Sequence, residues 1–209
     1  MPSGASVRLA AAVLPRATYI GLVAISFAWA FARPEAEGQS FAINLGNAIG
    51  FAALAMLVLQ LLAPAPRRMS KAPFRRTFLL RFHGPLGYLT FAAAIGHVVI
   101  LIVDDPDRLT LLNPADAPAR ARAAVAALVA LALVTVASTR RRVGRQTRAW
   151  RGLHVLLGGA ALAFALGHVA GVGKYLGLDA LPATALALVP LAAFAFLYLR
   201  REPERSPDA

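Results

Sequence analysis

The stretches LLRFHGPLGYLTFAAAIGHVVIL (79–101) and WRGLHVLLGGAALAFALGHVAGV (150–172) follow one template. Each contains a histidine, three residues, a glycine, eight residues, a second glycine and then His-Val. These positions supply all the histidines of the 209-residue sequence: His83, His97, His154 and His168. All four lie in apolar surroundings, so the repeat predicts two similar helices that carry their histidines at matching positions.

The chain as a whole is strongly apolar. Hydrophobic residues make up 58% of it, and its mean hydropathy is +0.62. Several apolar runs approach or exceed the roughly 20 residues that a helix needs to cross a bilayer. They are rich in Ala and Leu and lack the alternation of barrel strands. Because the lipid-facing backbone must bond internally, the sequence predicts an all-α integral membrane protein that contacts lipid.

We predict a bundle of six transmembrane helices in a single domain, residues 1–209. Proline-rich connections separate the predicted spans, which are 14–32, 43–63, 78–103, 121–139, 151–173 and 180–199. The first span also has features of a cleaved signal peptide. Cleavage would leave five spans and would not disturb the histidine-bearing helices. The charged tail, 200–209, is predicted to be disordered.

The formal net charge of +12 is distributed as expected for membrane topology. Two predicted connections are rich in basic residues and contain no acid: Arg67, Arg68, Lys71, Arg75, Arg76 and Arg81 in one, and Arg140, Arg141, Arg142, Arg145, Arg148 and Arg151 in the other. The alternate connection, 104–120, carries four aspartates against two arginines. The positive-inside rule therefore places both termini in the cytoplasm of a multi-pass inner or plasma membrane protein. Because topology accounts for the charge, no nucleic-acid partner is expected.

The histidine spacing points to haem. Fourteen residues span about four helical turns and about 21 Å, with only about 40° of rotation. The histidines of one helix therefore share a face at two depths, and the third and fifth helices run in the same direction. This predicts an inner pair, His83 with His154, and an outer pair, His97 with His168. Each pair would clamp one planar macrocycle between the two helices. The absence of cysteine excludes covalent c-type attachment, which leaves two b haems.

Glycines and arginines extend the predicted haem-binding site. Glycines lie one turn from each inner histidine or directly before each outer one: Gly87, Gly158, Gly96 and Gly167. We predict that they leave room for porphyrin, although close helix packing is an alternative explanation. Arg81 and Arg151 are predicted to pair with propionates of the inner haem, and positive-inside flanking is their alternative explanation.

Other roles for the histidines agree less well with the sequence. Histidines 14 residues apart on one helix cannot share a zinc ion, whose ligands lie about 2.1 Å from the metal. A proton relay requires linking carboxylates or waters, and the predicted spans are nearly free of acidic residues. Structural histidines in a non-redox transporter or assembly subunit remain a second hypothesis.

At these residues the sequence resembles the ferric reductase-like transmembrane domain family. The family includes the membrane parts of ferric reductases and NADPH oxidases, and the haem subunit of a bacterial methionine sulfoxide reductase system. With NLGNAIGFAALAMLVLQLL (44–62), the resemblance covers about residues 40–175. It implies two b haems that pass electrons across the membrane, with the inner and outer histidine pairs as iron ligands. The family often has arginine directly after the first histidine, where this chain has Gly84-Pro85.

The resemblance also implies a redox circuit. Many family members continue into FAD- and NAD(P)H-binding domains, whereas this sequence stops at residue 209. We therefore expect a separate flavoreductase, a membrane quinone or a bound flavin as the donor. The expected function is that of an oxidoreductase component that carries electrons from a cytoplasmic-side donor to an outer-side acceptor. A small quinone-linked cytochrome b subunit has similar histidine spacing and remains the alternative.

Overall fold

The protein is described by a computed structural model that covers residues 4–33, 38–62, 76–140 and 148–172. These residues form five α-helices and a short 3₁₀ helix, with no strand among them. The α-helices are α1 (Gly4–Phe31), α2 (Phe41–Leu62), α3 (Arg76–Asp104), α4 (Ala119–Arg140) and α5 (Arg148–Val172). The described part of the chain therefore agrees with the all-α class predicted from the sequence.

Four of the helices are long and apolar enough to cross a membrane. Their apolar segments are Phe41–Leu61, Phe82–Asp104, Ala119–Thr139 and Ala149–Val172, close to the second to fifth predicted spans. In α1 the described apolar segment is shorter, Tyr19–Phe31. The sixth predicted span, 180–199, and the tail lie outside the described residues. The protein is a multi-pass membrane protein, and the total of six helices stays a prediction.

Helix α2 lies at the centre of the bundle. It packs along α1 on one side and along α3 on another, and it also touches α5, while α4 packs along α5. The segment 51–58 is buried at every position. Such all-round burial explains why α2 is apolar on every face. Its residues Leu54, Leu57 and Val58 form the main core with Leu131 and Val134 of α4 and with Leu162 of α5.

Contacts between named residues establish the direction of each helix. Gly46 near the start of α2 lies against Leu101 near the end of α3, whereas Leu61 near the end of α2 lies against Gly158 of α5. Helix α2 is therefore antiparallel to both, and α3 and α5 run in the same direction. Within the described residues α3 and α5 share no extensive backbone contact. They meet through histidine side chains and across a cavity.

The connections before α2 and after α3 are organised by short polar contacts. Ser40 Oγ accepts a hydrogen bond from the Ile43 backbone N–H at 3.1 Å and donates one to Asp104 Oδ1 at 2.8 Å. Ser40 thereby caps α2 and ties it to the end of α3. The connection from α3 to α4 contains the 3₁₀ helix Pro106–Leu112. The proline at its first position suits helix initiation, where no N–H donor is needed.

Candidate functional site

The inner histidines contact each other directly. Nε2 of His83 lies 3.4 Å from Nε2 of His154, and the ring centroids are 5.7 Å apart with planes inclined at 65°. The buried indole of Trp150, one turn before His154 on α5, lies 5.5 Å from the His154 ring. Residues 71 positions apart in the sequence therefore present the same ring nitrogen to one another.

The remaining ring nitrogens of the inner pair have unequal surroundings. Ser138 Oγ donates to the Val134 carbonyl at 2.6 Å, so its oxygen is available as an acceptor for Nδ1–H of His154 at 3.5 Å. That bond is long, and we expect it to be weak. Nδ1 of His83 is buried and has no hydrogen-bond partner among the described residues. Nδ1 of His154 thus has one weak hydrogen bond, and Nδ1 of His83 has no partner among the described residues.

Backbone carbonyls hold the outer histidines. Nδ1 of His97 donates to the Gly46 carbonyl of α2 at 2.7 Å, and Nδ1 of His168 donates to the Arg120 carbonyl of α4 at 3.0 Å. A carbonyl oxygen can only accept, so each Nδ1 carries the proton, and the neutral ring has its lone pair on Nε2. Metal-binding histidines almost always make this second bond, which orients the ring and raises its basicity.

Two glycines make these carbonyl contacts sterically possible. A Cβ atom at Gly50 would come within 2.7 Å of Nδ1 of His97, so α2 can approach the ring only because no side chain is present there. A Cβ atom at Gly171 would come within 2.7 Å of Cβ and 3.3 Å of Cα of Arg120. Gly171 therefore lets the start of α4 approach α5 closely enough for the Arg120 carbonyl to reach His168.

Both outer histidines line one cavity of about 710 Å³. Its walls come from α2, α3, α4, α5 and the 3₁₀ helix and are largely apolar, with many alanines. Arg108 and Arg120 contribute to the lining beside the outer connection, and Arg108 Nε pairs with Asp105 Oδ2 at 3.0 Å. The volume lies within the roughly 300–1,000 Å³ typical of small-molecule and cofactor sites.

The predicted glycine contacts lie away from this cavity, since Gly87, Gly96, Gly158 and Gly167 are not among its lining residues. A Cβ atom at Gly87 or Gly96 would meet no heavy atom within 4 Å. A Cβ atom at Gly158 would lie 3.4 Å from Leu61, and one at Gly167 would lie 3.9 Å from Ala123. Their role beside a porphyrin stays a prediction.

The predicted arginine contacts are only partly described. Arg151 is exposed at the start of α5. The side chain of Arg81 lies outside the described residues. The cations that line the outer cavity are Arg108 and Arg120, which sequence reasoning treated only as loop charges.

Sequence reasoning also missed the α2 glycines. Gly46 and Gly50 form a small-xxx-small pair within NLGNAIG (44–50), and such pairs allow close helix approach in membranes. That spacing was the available signal. Nothing in the sequence identifies Arg120 as the residue whose carbonyl accepts a hydrogen bond from His168, because every residue has a backbone carbonyl.

Among the described residues, His83 and His154 contact each other, and His97 and His168 line one cavity. No group of three or more His, Asp or Glu side chains positioned to hold one metal ion occurs in the four described ranges. Zinc sites typically take three or four protein ligands.

Comparison with known protein families shows which family the chain resembles. The family described as ferric reductase like transmembrane component matches residues 49–167, more than half of the chain. The matched region contains His83, His97 and His154 and most of the cavity wall, and it ends one residue before His168. No curated protein and no solved structure shows significant similarity to the chain.

Proposed function

The chain belongs to the family of ferric reductase-like transmembrane components, and we propose that it is a di-haem b-type cytochrome that carries electrons across the membrane. One observation carries the proposal. The four histidines of the chain lie on two helices that run in the same direction, and the two helices contribute one histidine each to an inner and an outer pair. This arrangement suits a membrane redox component with two bis-histidine irons.

The donor chemistry of the outer pair suits haem iron. Both rings have Nδ1 bonded to a carbonyl, and the neutral tautomer therefore keeps its lone pair on Nε2. Two axial imidazoles complete the six positions of a porphyrin iron, which favours electron transfer over ligand binding at the metal. The cavity beside these rings has apolar walls suited to a flat macrocycle, and Arg108 and Arg120 suit its carboxylates.

The inner pair also agrees with this chemistry. Its two Nε2 atoms point toward each other at 3.4 Å. His83 and His154 would hold the iron of the inner haem through these two nitrogens, and that iron would supply redox chemistry there.

The haem would supply the redox chemistry, and the protein would supply ligation, orientation and exclusion of water. On α3 and α5, the histidine spacing of 14 residues sets two depths about 21 Å apart along the helix. The carbonyls of Gly46 and Arg120 keep the outer rings from turning. The apolar core between the two depths, centred on Leu54 and Leu162, keeps water from the path.

The proposed direction of transfer follows from charge. The basic connections mark the inner side as cytoplasmic, so electrons enter at the inner pair and leave at the outer pair. The donor is proposed to be a separate flavoreductase, a quinone or a bound flavin. The acceptor on the outer side is proposed to be ferric iron, dioxygen or a partner reductase.

An absorption spectrum of the purified full-length chain, expressed with ample haem supply, tests the proposal. We expect a reduced b-type spectrum and about two haems per chain, the number set by four axial histidines. A well-folded but colourless protein would overturn the proposal and favour structural histidines in a non-redox membrane protein.

Single substitutions test the pairing. His97→Ala or His168→Ala should remove the outer haem and leave the inner one, giving about one haem per chain. His83→Ala or His154→Ala should do the reverse. Gly159→Ala is a matched control, because a Cβ atom there meets no heavy atom within 4 Å. Loss of both haems from a folded outer-pair variant would contradict the pairing scheme.

A further inference from the structure

Two buried polar groups near the inner pair lack hydrogen-bond partners in the described part of the chain. The side chain of Gln60 on α2 is only 7% exposed, and neither its Oε1 nor its Nε2 is bonded. Nδ1 of His83, on the neighbouring helix α3, is also buried and has no hydrogen-bond partner among these residues. An unbonded amide is costly inside a membrane, where no solvent can compensate it.

The register of α2 and α3 brings these two groups to the same depth. The hydrogen bond from His97 Nδ1 to the Gly46 carbonyl places these two residues at the same depth in the antiparallel pair of α2 and α3. Fourteen residues inward along α2 from Gly46 is Gln60, and fourteen residues inward along α3 from His97 is His83. Fourteen residues are two heptads, after which helices in a left-handed pair face each other again, and this crossing is the common one in membranes.

An independent contact supports this depth. Leu61, next to Gln60, lies 3.4 Å from the Cβ position of Gly158 on α5. Gly158 is one turn from His154, the partner of His83 in the inner pair. Both helices that carry the inner histidines therefore place Gln60 within about one helical turn of them.

We propose that Gln60 Oε1 accepts a hydrogen bond from Nδ1–H of His83, as the inner counterpart of the Gly46 carbonyl. The bond forms when the Gln60 side chain turns about its rotatable bonds toward α3. It pairs Nδ1 of His83 with Oε1 of Gln60 and fixes the neutral tautomer of His83 with its lone pair on Nε2, facing His154. Gln60 is thus a positioning residue that acts through His83.

The redox consequence of this bond rests on the proposed function. A hydrogen bond from Nδ1–H makes the imidazole a more basic ligand. A more basic ligand favours ferric over ferrous iron and so lowers the reduction potential of the inner haem. Removal of the acceptor should raise that potential and leave the outer haem, held by Gly46 and Arg120, unchanged.

The hydrogen bond can be tested without haem. In the full-length chain labelled with ¹⁵N-histidine and kept haem-free, NMR should show His83 as a single Nδ1–H tautomer, with its signal assigned by comparison with His83→Gln. Gln60→Leu should give a mixture of tautomers at His83 alone. Met56→Leu, a buried and volume-conserving change one turn away on α2, is the matched control and should change nothing.

The haem-bound protein gives a second readout, a spectroelectrochemical titration. In Gln60→Leu we expect a roughly tenfold shift of one of the two haem equilibria toward ferrous iron, or about 59 mV for one electron. Gln60→Glu retains a hydrogen-bond acceptor. The reduction potential of its inner haem should therefore equal that of the unsubstituted protein or lie below it. A purely structural residue would not give opposite responses to these two substitutions.

The outcomes separate the two proposals. An unchanged His83 tautomer in Gln60→Leu overturns the inference, whether or not haem binds. Two haems with unchanged potentials in that variant also overturn it, while the proposed function stands. A protein that binds no haem but loses its His83 tautomer preference in Gln60→Leu supports the hydrogen bond and overturns the proposed function.

Discussion

Gly50 of α2 lies directly against the imidazole of His97, so closely that a Cβ atom would come within 2.7 Å of Nδ1. The ring occupies the space that a side chain on α2 would fill. Its Nδ1 can therefore reach the carbonyl of Gly46, one turn earlier on the same helix. The orientation of an outer histidine thus depends on the absence of a single methyl group.

Gly50→Ala should displace His97 and weaken the outer site. Overpacking of this kind typically lowers the free energy of unfolding by about 1–3 kcal/mol. Loss of the hydrogen-bond partner of a metal-binding histidine weakens metal binding about 10–100-fold. Haem content and thermal unfolding in detergent measure both effects. The control Gly159→Ala, in open space on α5, should retain both haems. Full outer-haem occupancy in Gly50→Ala would contradict this prediction.

Gly171→Ala should act on the other outer histidine through the backbone. Its methyl group would lie 3.3 Å from Cα of Arg120, so the start of α4 must move and the His168 bond must lengthen. We expect a loss of stability of about 1–3 kcal/mol and weaker retention of the outer haem. Gly152→Ala, also on α5 but without neighbours within 4 Å, should show neither change. Equal thermal stability of the two variants would disprove the steric argument.

Ser138→Ala should have a small effect confined to the inner pair. The contact of Ser138 Oγ with His154 Nδ1 is long, at 3.5 Å, and a typical hydrogen bond contributes only about 0.5–1.5 kcal/mol. We expect a slight rise in the inner-haem potential, smaller than that for Gln60→Leu, in a spectroelectrochemical titration. Ser138→Thr keeps the hydroxyl and should behave as the parent protein. A shift of the outer haem instead would invalidate the assignment.

Ser40→Ala should destabilise the outer edge of the bundle. It removes the cap of α2, a loss of about 0.5–2 kcal/mol, and the hydrogen bond to Asp104 that joins α2 to α3. A lower melting temperature with unchanged haem content is the expected result. Ser40→Thr preserves both bonds and serves as the control. Identical melting temperatures for the two variants would show that the cap contributes nothing.

Sequence periodicity predicted the second to fifth spans because a membrane imposes a minimum length of apolar helix. It also predicted which histidines share a depth, since a rise of about 1.5 Å per residue converts spacing into distance. The contact of His83 with His154 agrees with that spacing. The sixth span and the basic connections lie largely outside the described residues, and their assignment stays a prediction.

The apolar runs were sufficient to predict the class of protein, and the histidine spacing predicted two depths for its candidate site, because helix geometry and bilayer thickness constrain any chain. Only the packed structure revealed which groups hold the rings. The carbonyls of Gly46 and Arg120 carry no sequence signal, and the proximity of Gly171 to Arg120 depends on how α4 meets α5. Such contacts arise from the arrangement of helices that are distant in sequence, so no local pattern encodes them.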